Sequence, residues 1–417
     1  MTRIVAAQTS LSAGEFSPLL HDRNDLDAWQ SGAAIIENMI PRLEGPLAKR
    51  AGTVFVTAPK TSATPCRLMP FIKSFGDGVM VEAGNNYMRF IDAEAFAYLL
   101  DTGVPVEIVT TYGDSYLDYL RTFQSADVMW ITDRTGVTTW RRLVRYADDD
   151  WDIADFEYRL GPFFNRNDVT STVSINPSGT AVDAAITLTG VNYTFDENQV
   201  GGLMRIWNGF GGYPYPKWEA GATISAGQYC EYGGRVYQDS GAGGTAGNQP
   251  PVHDYGAITD GGVSWVYKHD MAGVARITGK SSASWPAQIV NATVEEAFPA
   301  TGASTDFAEG CFSDYRGWPR LGAIFDERMI ATSTLAQPDT VFLARTGEYS
   351  PDNASFKAAA GNGEVLDTDA VQRTIASGTI DIPAWIVPTQ EILIGTPSGI
   401  KRVTGPSIDE AITPSGI

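Results

Sequence analysis

Four segments of the chain share one plan: an apolar, β-branched run, a tight turn and a second run. They are VMVEAGNNYMRFIDA (79–93), DVMWITDRTGVTTWRRLVR (127–145), AIFDERMIATST (323–334) and EILIGTPSGIKRVTG (391–405). Strand-forming runs joined by Gly, Asn, Asp or Pro turns specify antiparallel hairpins and leave no room for long helices over these stretches. The first two start about 50 residues apart, and so do the last two if the hairpin at Gly395 is set against one opening near Pro338. Hairpins recurring every ~40–50 residues are the pattern of β-propeller blades. The residues therefore predict a mainly β fold, a disrupted β-propeller, with an array of β-sandwiches as the competing arrangement.

One helix is expected. Asn24-Asp25 suits a cap, and Leu26, Trp29, Ile36 and Met39 recur at roughly helical spacing before Pro41 stops them. Residues 1–60 then form an arm carrying this short helix, 61–165 the first part of the propeller and 301–417 the second. Residues 166–300 read as an inserted small β-domain whose halves, 170–200 and 272–294, are rich in Thr, Val and Ser. Nested between those halves, residues 215–267 are dense in aromatics and glycine. An insertion within an insertion costs little loop entropy.

Charge and composition narrow the function. The chain has 30 Lys+Arg against 49 Asp+Glu, a net of −19, whereas residues 1–60 balance at six acids and six bases. A protein that grips DNA phosphates presents a basic face, so tight DNA binding is not expected. The pair Lys49-Arg50, beside glycines and a proline, reads as a surface or interface corner rather than a phosphate grip. No apolar run is long enough for a membrane span, and MTRIVAAQTSLSAGEFSP lacks the apolar core of a signal peptide. Three scattered cysteines, Cys66, Cys230 and Cys311, fit a reducing cytoplasm better than a disulfide framework.

Catalytic and cofactor signals are weak. GAGGTAG (241–247) lacks the lysine and the strand-to-helix setting of a phosphate loop and reads as a flexible loop. The carboxylates of ADDDWD (147–152) and LDTDA (366–370) lack a calcium-loop pattern and read as solvated turns. His21, His253 and His269 have no recognisable nucleophile beside them. The expectation is a protein that is not an enzyme and holds no cofactor or metal.

The nested segment carries W-x10-Y-x2-Y-x-G-x2-Y followed by a distant Trp, through Trp218, Tyr229, Tyr232, Tyr237 and Trp265. It resembles small chitin- and cellulose-type carbohydrate-binding modules, which stack flat aromatic rings on sugar faces. The resemblance makes Trp218, Tyr232, Tyr237 and Trp265 candidate carbohydrate contacts and a host surface glycan a candidate partner. The alternative role for these aromatics is to fill the core of a module too small to build one otherwise.

A longer resemblance covers most of the chain outside 165–300. GEFSPLLHDRNDLDAWQSGAAIIENMIPRLEGPLAKRAGT resembles the N-terminal signature of tail proteins from short-tailed bacteriophages. Gly14, Glu15, Ser17, Pro18, Arg23, Asp25, Gly32, Asn38, Gly45, Arg50, Gly52 and Thr53 carry it, with Trp29 where Tyr is usual. The likeness continues at FQSADVMWITD (123–133), DDDWDIADFEYRLGPF (148–163), GWPRLGAIFDERMIATST…VFLARTGEY (317–349) and ILIGTPSGIKRVTG (392–405). Such proteins are tail tubular proteins, or nozzles. The resemblance implies a virion protein, assembled in the host cytoplasm, that forms a homo-hexameric tube of disrupted β-propellers. It implies as partners the adaptor ring of the portal, the tail fibres, and viral DNA in transit without tight binding. The arm and its corner would then be interface elements. The family's chains usually continue past the hairpin at 391–405, so the full protein is expected to extend beyond Ile417. The rival functional reading is a carbohydrate-binding receptor-recognition protein; a polysaccharide hydrolase, which needs paired carboxylates, is a third.

Overall fold

Strand alternation sets the sheets. In Arg67–Ser74, Met69 and Phe71 are buried while Leu68 and Ile72 face outward, as a strand half-covered by its neighbours requires. In the computed structural model the described residues are 8–416 without 168–171, 209–214, 233–234, 254–255, 270, 282–283, 359–365, 376–379, 408–409 and 415. Among them the fold is mainly β, and no helix reaches seven residues. The chain divides into two compact units, Met1–Thr57 and Ala58–Ile417.

The larger unit contains four small antiparallel sheets, each built on one of the four hairpins. The first joins Arg67–Ser74, Asp77–Gly84, Tyr87–Asp92 and Glu107–Val109. The second joins Leu120–Ser125, Val128–Asp133, Arg141–Arg145 and Trp151–Asp155. These two share a core in which the Trp151 ring stacks on Phe90 at 4.0 Å and meets Phe71 edge-on at 4.9 Å. The third joins Leu321–Phe325, Arg328–Thr332, Thr340–Leu343 and Val371–Thr374. Its tight turn places both Asp326 and Glu327 at positive φ, 48° and 55°, the twist that a two-residue hairpin needs.

The second and third sheets meet around buried aromatics. Trp140 Nε1 donates to the Pro319 carbonyl at 2.6 Å. The rings of Phe123 and Trp140 press so closely on Gly322 that a Cβ there would lie 2.4 Å from each. The fourth sheet, Trp385–Pro388, Ile392–Thr396 and Gly399–Val403, shares with the third a core that includes Ile330, Leu343, Ile392 and Ile394.

Between the second and third sheets the chain builds a six-stranded half-barrel. Its spatial order is Ser174–Pro177, Ala185–Val191, Ile289–Glu296, Gly273–Lys280, Leu203–Ile206 and Phe307–Glu309. Residues from both ends of the insertion thus pair with one another, and the sheet takes its last strand from beyond residue 300. The nested segment leaves after Ile206 and returns at Gly273. It folds as a four-stranded sheet, Tyr229–Tyr232, Arg235–Asp239, Val263–His269 and Ala257–Asp260, beside the pair Thr223–Ser225 and Gly243–Thr245.

That pair corrects the reading of GAGGTAG as a flexible loop. Gly243 sits at φ +79°, and a Cβ on Gly244 would lie 2.6 Å from the Gly262 carbonyl oxygen. The glycines are there so that two backbones can approach, not to keep the segment loose.

The expected helix in the first unit does not form. Asp27–Ser31 make a 3₁₀ turn, Gly32–Ala33 pair in parallel with Gly14–Glu15, and Met39–Pro41 pair with Leu47–Lys49. Two contacts pull the chain out of a helical path. The Phe16 ring lies over Gly32, where a Cβ would be 2.5 Å away, and Gly32 is extended at φ −103° and ψ 169°. The Glu15 carboxylate accepts the Ile36 N–H at 2.7 Å, a donor that a helix would have turned inward.

Candidate functional site

The nested module is organised by its strands, and they divide its aromatics into core and surface. Cys230 and Tyr237 are cross-strand partners, and both are buried. Tyr237 and Trp265 have no exposed surface; with Ile224, Cys230 and Val263 they are the core of the module. The Tyr237 hydroxyl donates to the His253 carbonyl at 2.8 Å, and its ring meets Tyr267 edge-on. Neither Tyr237 nor Trp265 can stack on a sugar, which corrects two of the four candidate contacts. A module of this size needs its largest rings inside.

Trp218 and Tyr232 are half-buried, packed against that core and edge-on to each other at 5.7 Å. Trp218 Nε1 donates to Asp260 Oδ2 at 3.2 Å, so the orientation of the Trp218 ring is fixed. The open aromatic face lies elsewhere. Tyr229 is 38% exposed, and its ring lies 5.8 Å from that of Tyr215, tilted by 39°. Tyr215 was not a candidate from sequence. The signal for Tyr229 was its place next to buried Cys230: consecutive strand residues face opposite ways. Gly233, Gly234 and Pro214 fall outside the described residues.

Asp239 holds the glycine-rich strand in place. Its carboxylate accepts N–H groups from Gly241 (3.1 Å), Gly243 (2.9 Å) and Ser264 (3.2 Å). Burial alone would raise its pKa, but these backbone donors outweigh it and hold the carboxyl below its usual range.

The other sequence candidates have structural partners. Asp148 of ADDDWD pairs with Arg145 at 3.2 Å and Asp152 with Arg142 at 2.5 Å. In LDTDA, Asp369 is buried and accepts the Leu366 N–H at 2.9 Å, while the buried Arg328 guanidinium donates to the carbonyls of Asp367 and Asp369. His21 Nε2 lies 3.2 Å from the Phe16 carbonyl, and His269 Nδ1 accepts the Met271 N–H at 3.1 Å. Among the described residues no three His, Cys, Asp or Glu side chains are placed to hold a metal ion.

The first unit combines a fixed backbone with outward apolar side chains. Ser17 caps the 3₁₀ turn Pro18–Leu20. Arg23 and Asp25 form a two-pronged pair, both bonds at 2.7 Å. Gly14, Asn38 and Gly45 take positive φ at turns, and Arg50 Nε donates to Asn38 Oδ1 at 3.3 Å, fastening the corner. Lys49 ends the strand beside it. Yet no hydrophobic side chain among the described residues of this unit is buried. Leu43 is 94% exposed and Phe55 80%, with Leu19, Ile35 and Val54 similarly bare. Isolated apolar side chains on a surface are ordinary, but the described residues of this unit bury none of theirs.

No protein-family model matches the chain, and no curated protein is significantly similar to it.

Proposed function

We propose that the chain is a structural subunit of the tail tube, or nozzle, of a short-tailed bacteriophage, without catalytic activity. In this reading it forms a hexameric conduit for genome ejection beneath the portal's adaptor ring and gives tail fibres a surface to dock on. The observation that carries the reading is the first unit. The residues that bear the resemblance, among them Glu15, Ser17, Arg23, Asp25, Gly32, Asn38 and Arg50, fix its backbone through local hydrogen bonds and close contacts. Its apolar side chains are left outward for a neighbour. The four hairpin sheets, two before the half-barrel and two after it, support the further reading as blades of a disrupted propeller.

Deleting residues 8–30 tests the reading. The shortened protein should keep its β-sheet circular dichroism and fail to enter tails; normal tails containing it would overturn the proposal. A second reading, a glycan-recognition protein of the tail, is favoured by the exposed Tyr229, whose ring packs beside the half-buried Tyr215 on the nested module. It predicts retention on host surface glycans that Tyr229→Ala abolishes.

A further inference from the structure

The strand Phe307–Glu309 forms one border of the half-barrel. Beside it, the segment 193–199 and the turn 313–317 enclose an open pocket of about 370 Å³, within the range of small-ligand sites. Its apolar walls are the rings of Phe164, Tyr193, Phe307 and Tyr315. Tyr193 meets Phe307 edge-on at 5.6 Å. Tyr315 is 48% exposed at the mouth.

The polar side is a chain of hydrogen bonds with a fixed direction. The Arg316 guanidinium lies 4.8 Å from the ring centres of both Phe164 and Tyr315. Its Nε and Nη2 donate to Glu309 Oε2 at 3.0 and 2.5 Å. Glu309 Oε1 accepts from Gln199 Nε2 at 2.7 Å, and the same nitrogen donates to the Tyr193 hydroxyl oxygen at 3.1 Å. Gln199 Oε1 accepts the Asp196 N–H at 2.8 Å, closing the capping box of the turn Glu197–Gln199. A carboxylate can only accept, so the amide nitrogen must face Glu309, and both of its protons are used. The Tyr193 oxygen therefore receives a proton and its own O–H is left to donate. That proton finds no acceptor among the described residues, and neither does Nη1 of Arg316 find a partner there.

The pocket is also preformed. The Tyr315 N–H donates to the Asn198 carbonyl at 2.9 Å, which ties the two enclosing loops together. A ligand would spend little free energy on ordering them.

These features select a chemistry. The half-exposed Tyr315 ring, one face of which carries the Arg316 guanidinium, suits the C–H face of a pyranose on its other side, and the O–H and N–H donors suit its hydroxyl oxygens. Arg316 is already neutralised by Glu309, Asp196 adds a negative charge to the lining, and the chain as a whole carries −19. An anionic ligand is disfavoured. We propose that this pocket binds a neutral hexopyranose unit of a glycan, with Tyr315 stacking on the sugar and Tyr193 and Arg316 donating to its hydroxyls. The site is separate from the nested module, and the inference does not rest on the tail-tube reading.

Saturation-transfer NMR on the full chain tests it, with methyl glucoside, methyl galactoside and N-acetylglucosamine as probes and glucuronate as the charged comparison. At least one neutral probe should receive saturation. Tyr315→Ala, at an exposed position, should leave the melting temperature unchanged and abolish the transfer. Tyr193→Phe, which removes one donor, should weaken binding about three- to tenfold. Tyr229→Ala on the nested module should change nothing. Four results would overturn the proposal: no transfer to any neutral probe, transfer to glucuronate alone, transfer that survives Tyr315→Ala, or transfer lost with Tyr229→Ala. Occupation of the pocket by a peptide that the sugars cannot displace would also overturn it.

Discussion

The Arg276 guanidinium donates to the Tyr158 carbonyl at 2.6 Å, joining a central strand of the half-barrel to the chain as it leaves the second sheet. The same side chain reaches the Gly201 carbonyl at 2.8 Å and the Glu295 carboxylate at 2.7 Å, and Glu295 in turn accepts the Leu160 N–H. One arginine thus holds the entry to the half-barrel, one of its turns and one of its strands. Arg276→Ala would leave the largely buried Glu295 without its cation. The expected loss is about 3 kcal/mol, seen as a lower urea midpoint; a change within ~0.5 kcal/mol would place this junction outside the stability core.

Core and surface aromatics of the nested module should separate cleanly. Trp265→Ala is expected to cost about 3–5 kcal/mol and to expose the module to protease. Tyr229→Ala should change stability by less than ~1 kcal/mol. Comparable losses at both positions, measured by urea unfolding, would mean that Tyr229 is no surface residue.

Asp239 gives the module an acid sensitivity. Its folded-state pKa lies below the unfolded one, so its contribution is present above the unfolded value, about 4. That contribution is lost as pH falls through the folded value. Hydrogen-exchange mass spectrometry in urea should show peptides around 239–247 stable at neutral pH and weakening under acid. Asp239→Asn should be less stable at neutral pH and flatter in its acid dependence. An unchanged acid dependence in the variant would assign the effect elsewhere.

Under the proposed conduit function, a chain of net charge −19 should let DNA pass without holding it. No binding of duplex DNA by the isolated protein is expected in a mobility-shift assay at physiological salt. Tight binding with a steep salt dependence would contradict the conduit reading and return Lys49-Arg50 to consideration as a phosphate grip.

Local signals and tertiary placement account for what could be read in advance. The hairpins were legible because turn chemistry and strand alternation are written within a dozen residues, as at Asp326-Glu327. The helical spacing from Leu26 to Met39 gives no helix because apolar spacing does not say whether the side chains meet a core; Trp29 and Met39 are exposed. The spacing of Tyr237 and Trp265 matched a sugar-stacking pattern, but spacing cannot separate a ring on the surface from one in the core. The half-barrel pocket left no motif at all. Tyr193 and Gln199 come from one segment and Glu309 and Arg316 from another more than a hundred residues away, and only the fold of the sheet joins them.

The most direct test of the central claim is the mass of the assembly, measured by native mass spectrometry with and without the portal adaptor ring that the proposed function implies. A complex with six copies of this chain on the ring is expected, lost when residues 8–30 are deleted. A stable trimer that ignores the adaptor would contradict it.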